Sequence, residues 1–128
     1  FANLSKVTPL MTAAFEGQME ILELLLQAGA KTHFEDRVAK TAAIYAAANG
    51  KTKCLERLLL SGIPVNQVYA ANETLLMWAA GYGHEETVSA LLKLGADKTL
   101  KDERGMTALD MAKEGNYLRV VKLLDTQS

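Results

Sequence analysis

Apolar positions along this chain repeat on two scales at once. Over residues 8–16 and again over residues 19–28 they return at helical spacing, and Gly17 separates the two runs. The whole pattern then recurs at a longer interval. Thr8, Thr41, Thr74 and Thr107 stand 33 residues apart, as do Ala13, Ala46, Ala79 and Ala112, and Leu25, Leu58, Leu91 and Leu124. Such a period predicts an array of four helical hairpins. Gly29, Gly62 and Gly95 fall just past each second helix, where a left-handed cap favours glycine. The pairs Ala13-Ala14, Ala46-Ala47 and Ala79-Ala80 have little bulk, so first helices of adjacent hairpins can approach closely while Leu-rich second helices fill the layer behind. One hairpin cannot bury its own apolar face, so neighbours must stack. The expected fold is therefore an all-α solenoid in a single domain, with repeats at 3–35, 36–68, 69–101 and 102–128.

Departures from the period are as informative as the period. In the fourth unit the phase of Ala14, Ala47 and Ala80 becomes Lys113, and that of Leu26, Leu59 and Leu92 becomes Asp125. Polar residues there predict a face that meets water, as a C-terminal capping repeat requires. The first unit has no such protection: Ala13, Ala14, Ile21, Leu22, Leu25 and Leu26 read like an internal repeat. Phe1 and Ala2 share the phase of Phe34-Glu35 and Leu100-Lys101, which end other units, so an N-terminal helix is expected to precede the sequence.

The period, Thr8-Pro9-Leu10-Met11-Thr12-Ala13-Ala14 and Leu25-Leu26-Gln27-Ala28-Gly29-Ala30 together resemble the ankyrin repeat over essentially the whole chain. The clearest matches are Thr74-Leu75-Leu76-Met77-Trp78-Ala79-Ala80 with Gly83-His84, and Asp102-Glu103-Arg104-Gly105-Met106-Thr107-Ala108-Leu109. The resemblance suits a small bacterial-style ankyrin protein or an ankyrin domain. It implies finger-like loops and first helices lining a concave surface, and protein binding rather than chemistry. The family's finger begins with Asp and carries Gly three residues later, as Asp102 and Gly105 do. The second finger keeps Asp36 but has Ala39, the first has Asn3 and Lys6, and the third has Tyr69 and Asn72. Val68, Ala70 and Ala71 surround Tyr69, so this finger is apolar where a loop is ordinarily polar.

Charge and chemistry narrow the role further. Fourteen Lys and Arg against fifteen Asp and Glu leave a net charge of -1, so no global pull toward nucleic acid is expected. No apolar run approaches the roughly 18 residues of a membrane span, and the expectation is a soluble protein with no membrane insertion, cytoplasmic or, had a leader been removed, periplasmic or secreted. One cysteine, Cys54, makes no internal disulfide and no cysteine-rich zinc site, and its phase with Ile21, Thr87 and Val120 suggests a half-buried packing residue. His33 and His84 have no metal-ligand or catalytic spacing; His84 is expected to fix a helix junction and His33 to serve a loop. No catalytic residue, cofactor or metal is expected.

Binding is expected through one surface. Tyr82, between Gly81 and Gly83 at the end of a first helix, has little to pack against locally and reads as an exposed anchor. Trp78 and Tyr45 lie beside the Ala pairs and read first as packing residues, with Trp78 also a candidate contact; Phe15 and Asn49 extend the strip of Tyr82. Val68, Ala70 and Ala71 would join Tyr82 in an apolar patch with a polar rim of Arg37, Lys40, Glu73, Glu103 and Arg104, and Val38 of the second finger is a further candidate contact. The alternative is that Val68 and Tyr69 fold inward. Functionally the expectation is a monomeric, non-catalytic module that binds another protein through its concave face, as an inhibitor or immunity-type protein capping an enzyme; the alternative is a structural or adaptor fragment of a larger protein.

Overall fold

The computed structural model describes residues 6–126, so the readings at Phe1, Ala2 and Asn3 lie outside the described residues. Eight α-helices follow in order: α1 Pro9–Glu16, α2 Met19–Gln27, α3 Ala42–Ala48, α4 Thr52–Leu60, α5 Leu75–Gly81, α6 Glu85–Lys93, α7 Ala108–Glu114 and α8 Leu118–Thr126. No strand occurs among the described residues.

The repeating threonines explain where each first helix starts. The Oγ1 atoms of Thr8, Thr41, Thr74 and Thr107 accept hydrogen bonds from the amides of Met11, Ile44, Met77 and Asp110 at 3.2, 3.3, 3.3 and 3.2 Å. Each satisfies one of the orphan donors of a helix N-terminus. The second helices α2, α4 and α6 begin without a side-chain cap. Their start is instead locked by the backbone: the amides of Gln18, Lys51, His84 and Tyr117 donate to the carbonyls of Ala13, Ala46, Ala79 and Ala112 at 2.8–3.0 Å. The residue before each of these amides must be left-handed, and Gly17, Gly50 and Gly83 have φ of 74°, 69° and 77°. The fourth is Asn116 at φ 64°, one of the few other residues that tolerate this region.

Backbone contacts divide the chain into two compact units, Phe1–Ile63 and Pro64–Ser128. In the first, α1 packs on α3 and α2 on α4. Ala13, Ala14, Ala46 and Ala47 are buried at these crossings, and Leu10, Met11, Leu22, Ile44, Leu55 and Leu58 fill the layer. Cys54 is fully rather than half buried, at 2% exposure. Burial pushes its thiol above the ordinary range, which makes it a poor nucleophile.

In the second unit, α5 packs on α7 and α6 on α8 around Leu75, Leu76, Val88, Leu91, Val120 and Leu124. Asn66 ties successive loops together: its Nδ2 donates to the Gly95 carbonyl at 3.1 Å and its Oδ1 accepts from the Asp97 amide at 2.7 Å. Lys98 Nζ donates to the Leu124 carbonyl near the end of α8 at 2.8 Å, supplying positive charge where the helix dipole is negative. Lys113 and Asp125 are exposed, as a polar outer face requires.

Candidate functional site

The fingers come before the helices that carry the site, and they are built in two ways. In the second finger the Asp36 amide donates to the Lys40 carbonyl and the Ala39 amide to the Asp36 carbonyl, both at 3.0 Å. Asp36 Oδ1 accepts from the amides of Val38 and Lys40, each at 3.0 Å. The fourth finger repeats the pattern: Asp102 Oδ1 accepts from Arg104 at 2.9 Å and Met106 at 3.0 Å. Both carboxylates are buried. Burial opposes the charged form, yet the donors outweigh it: Tyr45 Oη and two amides for Asp36, two amides and the Arg104 guanidinium for Asp102. Both carboxyls are therefore held below the usual range. Burial, then the hydrogen bond to Asp36, pushes the Tyr45 phenol up to about 12.

Tyr69 occupies the same position in the third finger and has no carboxylate. Its amide still donates to the Glu73 carbonyl, at 2.8 Å, and the Asn72 amide to the Tyr69 carbonyl, at 3.1 Å. The Glu73 amide, whose counterparts bond to Asp36 and Asp102, reaches the Ala70 carbonyl at 3.3 Å. That bond needs a different turn. Ala71 and Asn72 both take positive φ, 61° and 59°, which is the two-residue signature of a tight hairpin turn. The Ala71 carbonyl then accepts from the Glu103 amide of the next finger at 3.0 Å. The Tyr69 ring turns inward, at 9% exposure, whereas Val68, Ala70 and Ala71 are exposed. The inward alternative thus holds for Tyr69 and not for Val68.

Beside this finger, α5 and α7 enclose an open cleft of about 320 Å³ lined by Glu73, Met77, Trp78, Gly81, Tyr82, Arg104, Met111, Glu114 and Gly115. Tyr82 is not unsupported. One helical turn after Trp78, it lies nearly parallel to the indole, with centroids 6.2 Å apart and planes 10° apart, an offset stack that leaves it 54% exposed. The glycine after it has a local reason: a Cβ on Gly83 would lie 2.4 Å from Tyr117 Cδ1. Arg104 Nη2 pairs with Asp102 Oδ2 at 3.0 Å.

Of the expected site residues, Glu73, Trp78, Tyr82 and Arg104 come together in this cleft. Val68, Ala70, Ala71 and Glu103 are exposed on fingers but do not line it, whereas Glu73, the residue that closes the third finger, does. Arg37, Val38, Lys40, Asn49 and Phe15 belong to the first unit, where Phe15, Lys40 and Asn49 gather around Tyr45. There Phe15 meets Tyr45 edge-on at 5.8 Å, Lys40 Nζ lies 5.6 Å from the Tyr45 ring centre, and Asn49 Nδ2 donates to the Tyr45 carbonyl at 2.8 Å. Arg37 and Val38 are exposed. Met77, Gly81, Met111, Glu114 and Gly115 also line the cleft and are not among the expected site residues. The signal was present: Met111, Glu114 and Gly115 lie one period after Trp78, Gly81 and Tyr82.

Among the described residues no group of three His, Cys, Asp or Glu could hold a metal ion, and no helix is long and apolar enough to cross a membrane. His84 precedes α6 without capping it through its side chain, and His33 lies against the Phe34 ring at 4.7 Å. Compared with known families, the chain is similar to the family described as ankyrin repeats (3 copies), over residues 2–69 and again over residues 43–127. No curated protein matches it.

Proposed function

The chain belongs to the ankyrin-repeat family, whose domains are in general protein-interaction modules, and from that premise we propose that it binds a partner protein, without catalysis, at the cleft between α5 and α7. The observation that carries this reading is Tyr82: a large aromatic, 54% exposed, held by its stack on Trp78 beside two methionines. Aromatic anchors of this kind supply much contact area while losing few rotamers, and a rigid helical mount lowers the entropy lost on association. Exposed Val68, Ala70 and Ala71 extend the contact beyond the cleft, and Glu103 and Arg104 contribute a polar rim. The protein acts as a monomer.

The finer reading is a stoichiometric inhibitor or immunity-type protein that caps an enzyme. A short array has room for about one interface of standard size, which favours capping over bridging two partners. An adaptor fragment is the competing role. Affinity capture from the source cell, with wild type beside the Tyr82→Ala, Val68→Asp variant, tests the site. The partner held by wild type is expected to bind the variant more than about tenfold more weakly, at unchanged thermal unfolding. Equal retention by both baits would move the interface elsewhere. A partner enzyme that loses activity at one equivalent supports capping, and simultaneous retention of two proteins supports the adaptor.

A further inference from the structure

The cleft combines features that suit one kind of side chain. Its lining includes the stacked rings of Trp78 and Tyr82 and the side chains of Met77 and Met111. Its charged lining is Glu73 and Glu114 with Arg104, which pairs with the buried Asp102 and also attracts Glu114 and Glu73, so that three carboxylates stand against one guanidinium. The cleft is therefore net acidic over an aromatic surface. Aromatic faces attract cations through the ring quadrupole, and carboxylates at the edge of such a face add direct hydrogen-bond acceptors.

We propose that the cleft receives an arginine side chain from an extended segment of the partner protein, its guanidinium lying on the Trp78–Tyr82 stack and donating to Glu73 and Glu114. Arginine fits better than lysine. Its group is planar, matches both a ring face and a carboxylate, and is more weakly hydrated than an ammonium, so it loses less on leaving water. This assignment rests on the cleft being the partner's site and adds the chemistry of what enters it.

Trp78 is the single tryptophan of the chain, so its fluorescence reports on this site alone. The experiment titrates the full chain with short peptides that lack Trp and Tyr and carry at one central position Arg, Lys, citrulline or Glu. A saturable change is expected with the Arg peptide. The citrulline and Glu peptides are expected to bind at least about tenfold more weakly, since citrulline keeps the shape and loses the charge. Added salt should weaken the Arg peptide. Glu73→Gln together with Glu114→Gln should weaken it about tenfold with unchanged thermal unfolding, whereas Arg104→Gln should leave it as tight or tighter.

Equal binding of citrulline and Arg, preference for the Glu peptide, loss of binding in Arg104→Gln, or no saturable change up to solubility would each overturn the arginine assignment. Preference for Lys would reassign the site to an ammonium. If the peptides fail while Tyr82→Ala, Val68→Asp still loses the captured partner, the arginine assignment alone falls. If the peptides bind while that variant keeps its partner, the site reading falls instead.

Discussion

The third finger and the fourth finger solve one structural problem with different chemistry. Both close the same hairpin, from the amide of Tyr69 or Asp102 to the carbonyl of Glu73 or Met106. In the fourth, a buried carboxylate gathers two amides and a guanidinium. In the third, an inward phenol ring fills the position, and the freed Glu73 amide is satisfied by turning Ala71 left-handed toward the Ala70 carbonyl. Losing one carboxylate thus rewrites a turn, while the flanking positions stay exposed in all three fingers, as Glu35, Arg37 and Val38, as Val68, Ala70 and Ala71, and as Lys101, Glu103 and Arg104; Glu73 lines the cleft beside Trp78 and Tyr82. Divergence within a repeat array is concentrated where one unit stops obeying the common solution.

Removing each finger's central residue should separate the two solutions most sharply. Tyr69→Ala deletes a nearly buried aromatic and should destabilise by about 3 kcal/mol in denaturant unfolding. Asp102→Ala leaves the part-buried amides of Arg104 and Met106 without their acceptor and should cost about 2 kcal/mol. A Tyr69→Ala variant as stable as wild type would mean that the ring is not the finger's support.

Acid should then distinguish the fingers, because only the second and fourth contain a buried carboxylate. Asp36 and Asp102 have folded pKa values below their unfolded ones, so their stabilisation is present above the unfolded value and is lost as pH falls through the folded one. Stability should decline below about pH 4, and Asp102→Asn should flatten that decline while Tyr69→Phe should not alter it. Chemical denaturation across that window gives the result.

The smallest effect should come from the left-handed positions. Ala39 and Ala71 have φ of 61°, where a Cβ is crowded. Ala39→Gly and Ala71→Gly should each stabilise by roughly 0.5–1 kcal/mol, less than the local strain because glycine also loosens the unfolded chain. Asn72→Gly should gain less than Ala71→Gly, since Asn tolerates this region. A shared loss in all three would contradict the strain reading.

Much of the fold was legible because it repeats. The helical hairpins and the left-handed glycines at 29, 62 and 95 follow from a phase shared by several units, so each is signalled more than once, and the exposed Lys113 and Asp125 stand out as departures from that phase. The third finger was not legible in the same way. Tyr69 at an Asp position reads as an exposed aromatic or a buried one with equal ease, and nothing in the four letters Val-Tyr-Ala-Ala announces that Ala71 must turn left-handed to satisfy an amide two residues on. Tyr82 was recognisable as an aromatic at a variable position, but its support by Trp78 required reading the spacing of four as a helical neighbour pair. The lining from α7 required carrying that reading one period forward.

The central claim is that binding lies in the cleft of the second unit and not at the Phe15–Tyr45 cluster of the first. Its most direct test is the affinity of the captured partner for Tyr82→Ala and Phe15→Ala side by side, each checked for unchanged unfolding. The account predicts a loss of about tenfold or more for Tyr82→Ala, on the scale of interface hot spots, and less than about twofold for Phe15→Ala, as expected outside the interface. The reverse order, or an undiminished affinity in Tyr82→Ala, would contradict it.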